Sequence, residues 1–248
     1  MQNLQKKNNI LGILGGLGPM ATVYFYEMIT EHTKAECDQD HIDIIISSRA
    51  TTPDRTAFVL SQSDENPLPI MQEEAEKLIS CGADVISIPC NTAHYFYDAL
   101  APILSVPMVN IIFETVSFVK RTGTKKIGIL ATEGTVKSGA YEKVCAEMGI
   151  GYEAPDEKYQ KILSDIIYGE IKQGKDADMA KFFEVCRHMR DKGCERLVLG
   201  CTELSLIAKK NSLEDEFVDS LSVLALKTIK MCGKTPIGFS DEMMKFVI

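Results

Sequence analysis

Residues 88–94 read IPCNTAH and residues 199–206 read LGCTELSL. In both stretches a cysteine closes an apolar run and small polar residues follow at once. A thiol in such a place can be core filler, a metal ligand or a reactive group within reach of a substrate. The thiolate is the reactive form. A helix starting just beyond the cysteine supplies partial positive charge, which favours the anion and pulls a thiol from about 8.5 toward neutrality. A lone buried cysteine is most often a small hydrophobe. Two of them at matching places suggest more: a thiolate and a thiol on opposite sides of one carbon can take a proton from one face and return one to the other. The configuration at that carbon then inverts. Cys90 and Cys201 are the candidate acid–base pair.

Other stretches suit a small anionic substrate. GILGGLGPMAT (12–22) places glycines between an apolar run and a segment that starts with Pro19, a residue suited to a first helical turn. Backbone N–H groups of Gly16, Leu17 and Gly18 can approach a carboxylate or phosphate at that helix start. The same stretch loosely fits a dinucleotide fingerprint. The second strand, however, ends ISSR, without the acid that would bind a ribose hydroxyl. RATTPDRTAFVL (49–60) is a polar loop carrying Thr52, Asp54 and Arg55. Arginine offers a fork of donors matched to a carboxylate, and a neighbouring acid can orient it. Lys172 falls in IIYGEIKQGK (166–175), near the expected end of a helix. His94 lies one helical turn after Cys90. With no third or fourth ligand to name, it is expected to be structural, and no metal is expected.

These residues need a scaffold. Runs rich in Ile, Val and Leu recur at 9–14, 42–47, 84–89, 126–130 and 196–200, separated by stretches of helical spacing such as 69–82 and 178–193. Apolar strands without alternation, divided by amphipathic helices, predict parallel sheet covered on both faces. The chain also repeats itself. LGIL (11–14) is echoed by IGIL (127–130), and Cys90 and Cys201 each follow a glycine, Gly82 or Gly193, by eight residues. The fold expected is α/β: two similar three-layer domains with mainly parallel sheets, related by a pseudo-twofold axis. The first spans 1–112 and is completed by 216–248, whose segment 217–233 is amphipathic; the second spans 113–215. Ligands of open parallel sheets bind beyond the carboxyl ends of the strands, where both cysteines fall.

Composition narrows the partners. A formal charge of -8 and a pI near 5.1 leave no basic stripe for nucleic acid or an anionic membrane. No apolar run reaches membrane-spanning length, and the polar start MQNLQKKNN is unlike a secretory signal. The eight cysteines form no Cys-x-x-Cys pair, so a reduced, cytoplasmic protein is expected.

Taken in order, GILGGLGPMAT, TTPDRT, IPCNTAH, IIYGEIKQG and LGCTEL resemble the aspartate/glutamate racemase superfamily over nearly the full length. Glutamate racemases usually begin Asp-Ser-Gly and carry histidine after the second Cys-Thr. Here Gly-Gly-Leu-Gly-Pro and Glu203 stand in those places, which favours the aspartate branch. The resemblance implies an amino-acid racemase without pyridoxal phosphate or any other cofactor, commonly homodimeric, working by two bases across a cleft between two α/β domains. Its substrate would be a small acidic amino acid, L- and D-aspartate first. Cys90 and Cys201 would be the bases. Asp54, Arg55 and Lys172 would steady the thiols and the carboxylates, and Asn91, Thr92 and Thr202 would hydrogen-bond the substrate. Thr132 and Thr135 are carried across from a loop, ATEGT, that departs from the commoner Gly-Thr form. The alternatives are a glutamate or broader-specificity racemase of the same superfamily and a non-catalytic binder of small acids.

Overall fold

Each of the five apolar runs contains a strand. In the computed structural model, which describes residues 9–211, 213 and 215–247, β1 (Leu11–Gly15), β2 (Ile44–Ser48) and β3 (Val85–Ser87) form one sheet. A second sheet holds β4 (Lys126–Leu130), β5 (Gly151–Glu153), β6 (Arg196–Leu199) and β7 (Phe217–Asp219). The orders are β2-β1-β3 and β5-β4-β6-β7, and every pairing is parallel. Both halves therefore wind the same way: the first strand is central, the second lies on one side and the third on the other. The match extends further, because Met108 bridges Ile86 of β3 in parallel, as β7 pairs with β6. The protein has the α/β architecture of two parallel-sheet domains.

Central strands are covered on both faces, and β1 is buried throughout. The edge strand β2 departs from that expectation, since Ile46 is 41% exposed. The echoed glycines have a packing cause. A Cβ on Gly12 would lie 2.7 Å from Ile86 Cδ1, and one on Gly128 would lie 2.8 Å from Met189 Cε and 2.9 Å from Leu197 Cδ2. Neighbouring apolar side chains occupy the space that any larger residue would need.

The stretch 216–247 contributes to both halves. Its first residues form β7 of the second sheet, a strand within a stretch whose spacing reads as helix throughout. The helix Ser220–Met231 then packs on the first half, against the helix Pro19–Glu31 and β3, with Ser87 Oγ 2.8 Å from Thr228 Oγ1. Its counterpart, the helix Ile111–Arg121, follows Met108 in the first half yet packs on the helix Ala140–Met148 of the second. Asn110 and Asp219 cap these two helices, each accepting backbone N–H groups of the first turn. The exchanged helices make one apolar cluster of both halves, running from Leu11, Ile13 and Phe25 through Val116 and Val119 to Ile127, Ile129, Leu224 and Ile229. Burying an aliphatic side chain of this kind contributes about 1.5–3 kcal/mol, so the seam is a core and not a loose contact. Among the described residues no helix is long and apolar enough to cross a membrane.

Candidate active site

Both cysteines lie just past the carboxyl ends of equivalent strands. β3 ends at Ser87, and Cys90 follows after a tight turn in which its N–H donates to the Ile88 carbonyl at 2.8 Å. β6 ends at Leu199, and Cys201 is the N-cap residue of the helix Thr202–Lys210. The two thiols line a single small pocket, of about 20 Å³.

His94 fixes the first thiol's backbone. Its Nδ1 is 2.8 Å from the Cys90 carbonyl, and its Nε2 lies 3.2 Å from the Ile111 N–H, which donates to it. The pairing fits a neutral ring protonated at Nδ1, and burial pushes the pKa down from 6.5. The unfolded chain binds that proton more readily, so below about pH 6.5 acid favours unfolding. Thermal unfolding followed between about pH 7 and pH 5 should therefore show a fall in midpoint that His94→Gln flattens. An equal slope in both proteins would contradict a buried neutral imidazole.

Polar bridges tie the strand ends of the two halves together. Tyr141 donates to Asn91 Oδ1 at 2.7 Å, Asn91 Nδ2 donates to Ser220 Oγ at 3.0 Å, and Ser220 donates to the Leu199 carbonyl at 2.7 Å. The Asn91 amide lines the pocket but is engaged by the scaffold on both atoms, which fixes the cysteine loop. Thr92 Oγ1 lies 3.0 Å from Thr132 Oγ1 and 2.8 Å from Thr135 Oγ1, a buried hydroxyl cluster across the same seam. Thr92 and Thr132 reach the pocket wall, with Thr135 behind them.

The polar loop supplies the charged groups. Asp54 caps the short helix Arg55–Val59, accepting from the Ala57 N–H at 2.7 Å, and lines the pocket. Arg55 is buried. Its Nη1 donates to the carbonyls of Thr52 and Pro53 at 3.1 and 2.9 Å, and its Nη2 donates to that of Leu17 at 2.7 Å. Its Nε has no partner among the described residues. An unengaged donor on a buried cation at a pocket wall is suited to an incoming carboxylate. Thr52 lies outside the wall and shapes the loop, its hydroxyl donating to the Arg49 carbonyl at 2.8 Å.

The glycine loop plays a different part from the one its N–H groups suggest. Leu17 lines the pocket, but the Gly16 N–H donates to Thr22 Oγ1 at 2.9 Å, and neither Gly16 nor Gly18 forms the wall. Gly16 has φ +82, and a Cβ there would lie 2.5 Å from the Arg49 backbone nitrogen, so the residue serves a tight turn.

From the second half come Lys172 and Thr202, together with Tyr168 and Glu203, which sequence reasoning did not select; nor did it select Thr56, from the loop of the first half. The chain forms a wide π turn over Asp165–Glu170 and then a 3₁₀ turn over Ile171–Gln173, ended by Gly174 at φ +75. This brings Lys172 Nζ to 4.7 Å from the Tyr168 ring centre, while the Tyr168 hydroxyl donates to Thr56 Oγ1 at 3.0 Å. Close approach of the two halves here needs Gly134, where a Cβ would lie 2.8 Å from Thr56 Cα. The signals for Thr56 and Tyr168 were in the motifs themselves, the last residue of PDRT and the tyrosine one turn before the lysine.

The helix start was expected to lower the thiols, but at Cys201 burial and the Glu203 carboxylate push the pKa well up, outweighing Lys172 and the backbone. Burial works against the Lys172 ammonium, yet Glu203, the two sulfurs and Tyr168 together hold its pKa above the ordinary value. Lys172 is thus a fixed cation facing both cysteines.

Two sulfurs at the ends of equivalent strands thus share one pocket with a buried arginine and a lysine. The chain belongs to the Asp/Glu/hydantoin racemase family, whose model matches residues 14–228. It is similar to the broad-specificity amino-acid racemase RacX of Bacillus subtilis, 28% identical over 232 residues that cover 89% of this chain and 96% of that protein. A glutamate racemase of Aquifex pyrophilus is 35% identical over 153 residues, 58% of this chain and 57% of that one. Among solved structures, Picrophilus torridus aspartate racemase superposes with a TM-score of 0.83 at 32% identity, covering 97% of this chain and all of the other.

Proposed function

We propose that the protein racemises aspartate without a cofactor, using Cys90 and Cys201 as the two bases. The observation that carries this reading is the shared pocket: one thiol from each half, with Arg55 and Lys172 in the same wall. The similarity to an aspartate racemase over nearly the full chain supports the choice of substrate.

In this scheme the substrate lies between the sulfurs. The free Nε donor of Arg55 takes one carboxylate, and Lys172 offsets the negative charge that grows as Cα loses its proton. One sulfur, as thiolate, removes the Cα proton. The other, as thiol, delivers a proton to the opposite face, and the roles reverse for the other enantiomer. Proton transfer from a positioned group of this kind contributes about 10²–10⁴-fold to rate.

The reading is tested by incubating purified, metal-depleted protein with L-aspartate in D₂O. Deuterium at Cα accompanied by D-aspartate is expected. Binding of aspartate without exchange would mean a non-catalytic binder. The similarity to a broad-specificity racemase makes a panel of other L-amino acids the second arm. A faster reaction with glutamate or neutral amino acids would replace aspartate as the substrate while keeping the mechanism.

A further inference from the structure

The two thiols are held from behind by clasps that match in place and differ in chemistry. Four residues after Cys90 stands His94, and four residues after Cys201 stands Ser205. Both are buried, and each reaches the start of one of the exchanged helices. His94 Nε2 accepts the N–H of Ile111, the first residue of the helix Ile111–Arg121. Ser205 Oγ donates to Oδ1 of Asp219, the N-cap residue of the helix Ser220–Met231, at 2.5 Å. Asp219 Oδ2 accepts the Ser222 hydroxyl at 2.5 Å and the Ser222 N–H at 3.2 Å. A buried carboxylate is costly unless its oxygens are hydrogen-bonded, so these donors fix where it sits. The next residue, Ser220, holds the Leu199 carbonyl two places before Cys201. The Cys201 turn is therefore gripped on both sides, yet neither Ser205 nor Asp219 lines the pocket.

We propose that Asp219, acting through Ser205, is the positioning residue of Cys201, as His94 is of Cys90. The proposal rests on the racemase reading above. Its physical basis is the distance tolerance of proton transfer: a reacting group displaced by about 1 Å can lose about 10²-fold in rate. Cys201 caps the helix Thr202–Lys210, so its sulfur follows any slide or rotation of that helix. Ser205 lies one turn further in, and its bond to Asp219 anchors that turn to the start of the helix Ser220–Met231. That helix packs on the first half, which carries Cys90. His94 does the reverse, joining the Cys90 carbonyl to the helix Ile111–Arg121, which packs on the second half. Each sulfur is thus located by a helix seated in the opposite half. The spacing of the two bases across a substrate is set at the seam and not by either half alone.

Two substitutions in the full-length protein separate positioning from stability, because each removes one hydroxyl from the same carboxylate. Ser205→Ala cuts the tie to the Cys201 helix, whereas Ser222→Ala removes a donor of equal length on the helix Ser220–Met231 itself. Steady-state racemisation of aspartate is measured together with the rate at which iodoacetamide alkylates each cysteine, resolved by peptide mass spectrometry. Both variants are expected to lower the unfolding midpoint in urea by similar amounts. Only Ser205→Ala should lower kcat, by about 10–10²-fold with little change in KM. Only there should Cys201 be alkylated faster, as its helix start loosens, while Cys90 reacts at the wild-type rate and so reports an intact first half. Loss of kcat in Ser222→Ala equal to that in Ser205→Ala would reduce Asp219 to a helix cap and overturn the proposal. So would a Ser205→Ala variant with wild-type kcat, or one in which both cysteines react faster alike. If the wild type racemises nothing, the racemase reading fails on its own, and the alkylation rates still decide whether Ser205 and Asp219 hold Cys201 in place.

Discussion

Replacing Cys90 by serine, or Cys201 by serine, lowers racemisation of aspartate by about 10²–10⁴-fold in either case, because inversion needs a proton moved at both faces and a hydroxyl at neutral pH is a poor base. The two losses should not multiply: the double variant falls little below either single one, since each change alone already halts the reaction. Both sites are small, and a serine leaves almost no cavity, so unfolding midpoints stay close to that of the wild type. The residual reaction is the informative part. Each single variant keeps one sulfur, which can still exchange the Cα hydrogen of one enantiomer with solvent without inverting it. Cys90→Ser and Cys201→Ser should therefore label opposite enantiomers in D₂O, and that result assigns each sulfur to its face. Full activity in either variant would falsify the two-base scheme.

Arg55→Lys is expected to lower kcat/KM by about 10²-fold, equal to about 2.7 kcal/mol of transition-state stabilisation. The cause is geometric. Three carbonyls, those of Leu17, Thr52 and Pro53, are gripped by one planar guanidinium, which leaves Nε for the ligand. An ammonium keeps the charge but lacks the fork, so it cannot satisfy those carbonyls and present a donor to a carboxylate together. Carbonyls left buried and unpaired cost about 1–3 kcal/mol each. The unfolding midpoint in urea should therefore fall along with activity. A variant with normal kcat/KM would remove Arg55 from substrate binding and leave it a loop clasp.

Much of this scaffold was legible because parallel strands buried on both faces need continuous apolar residues, and continuous runs are easy to see. The duplication was legible for a related reason: Gly12 and Gly128 are each excluded from growing a side chain by packed neighbours, so the echo survives in the sequence. The three-residue strands β5 and β7 were not legible, being too short to carry a period. The glycine loop reads two ways in the sequence, since its turn geometry and its closeness to Glu203 need the same residues that anion binding would. Glu203 was noticed only as a departure from a motif. Its hydrogen bond to Cys201 depends on burial, and its approach to Lys172 joins positions far apart in the chain. For the same reason the direction of the Cys201 shift escaped a rule about helix starts, which ignores a carboxylate two residues on. His94 shows the opposite case: counting absent ligands was enough to point to a structural role, which its bonds to the Cys90 and Ile111 backbone describe.

The exchange of the helices Ile111–Arg121 and Ser220–Met231 sets a limit on how this chain can be divided. Cut at the midpoint, either fragment would end in a greasy rod whose natural cover belongs to the other fragment. Neither piece could stand alone in water, but two copies of one piece could shield each other by trading their final rods.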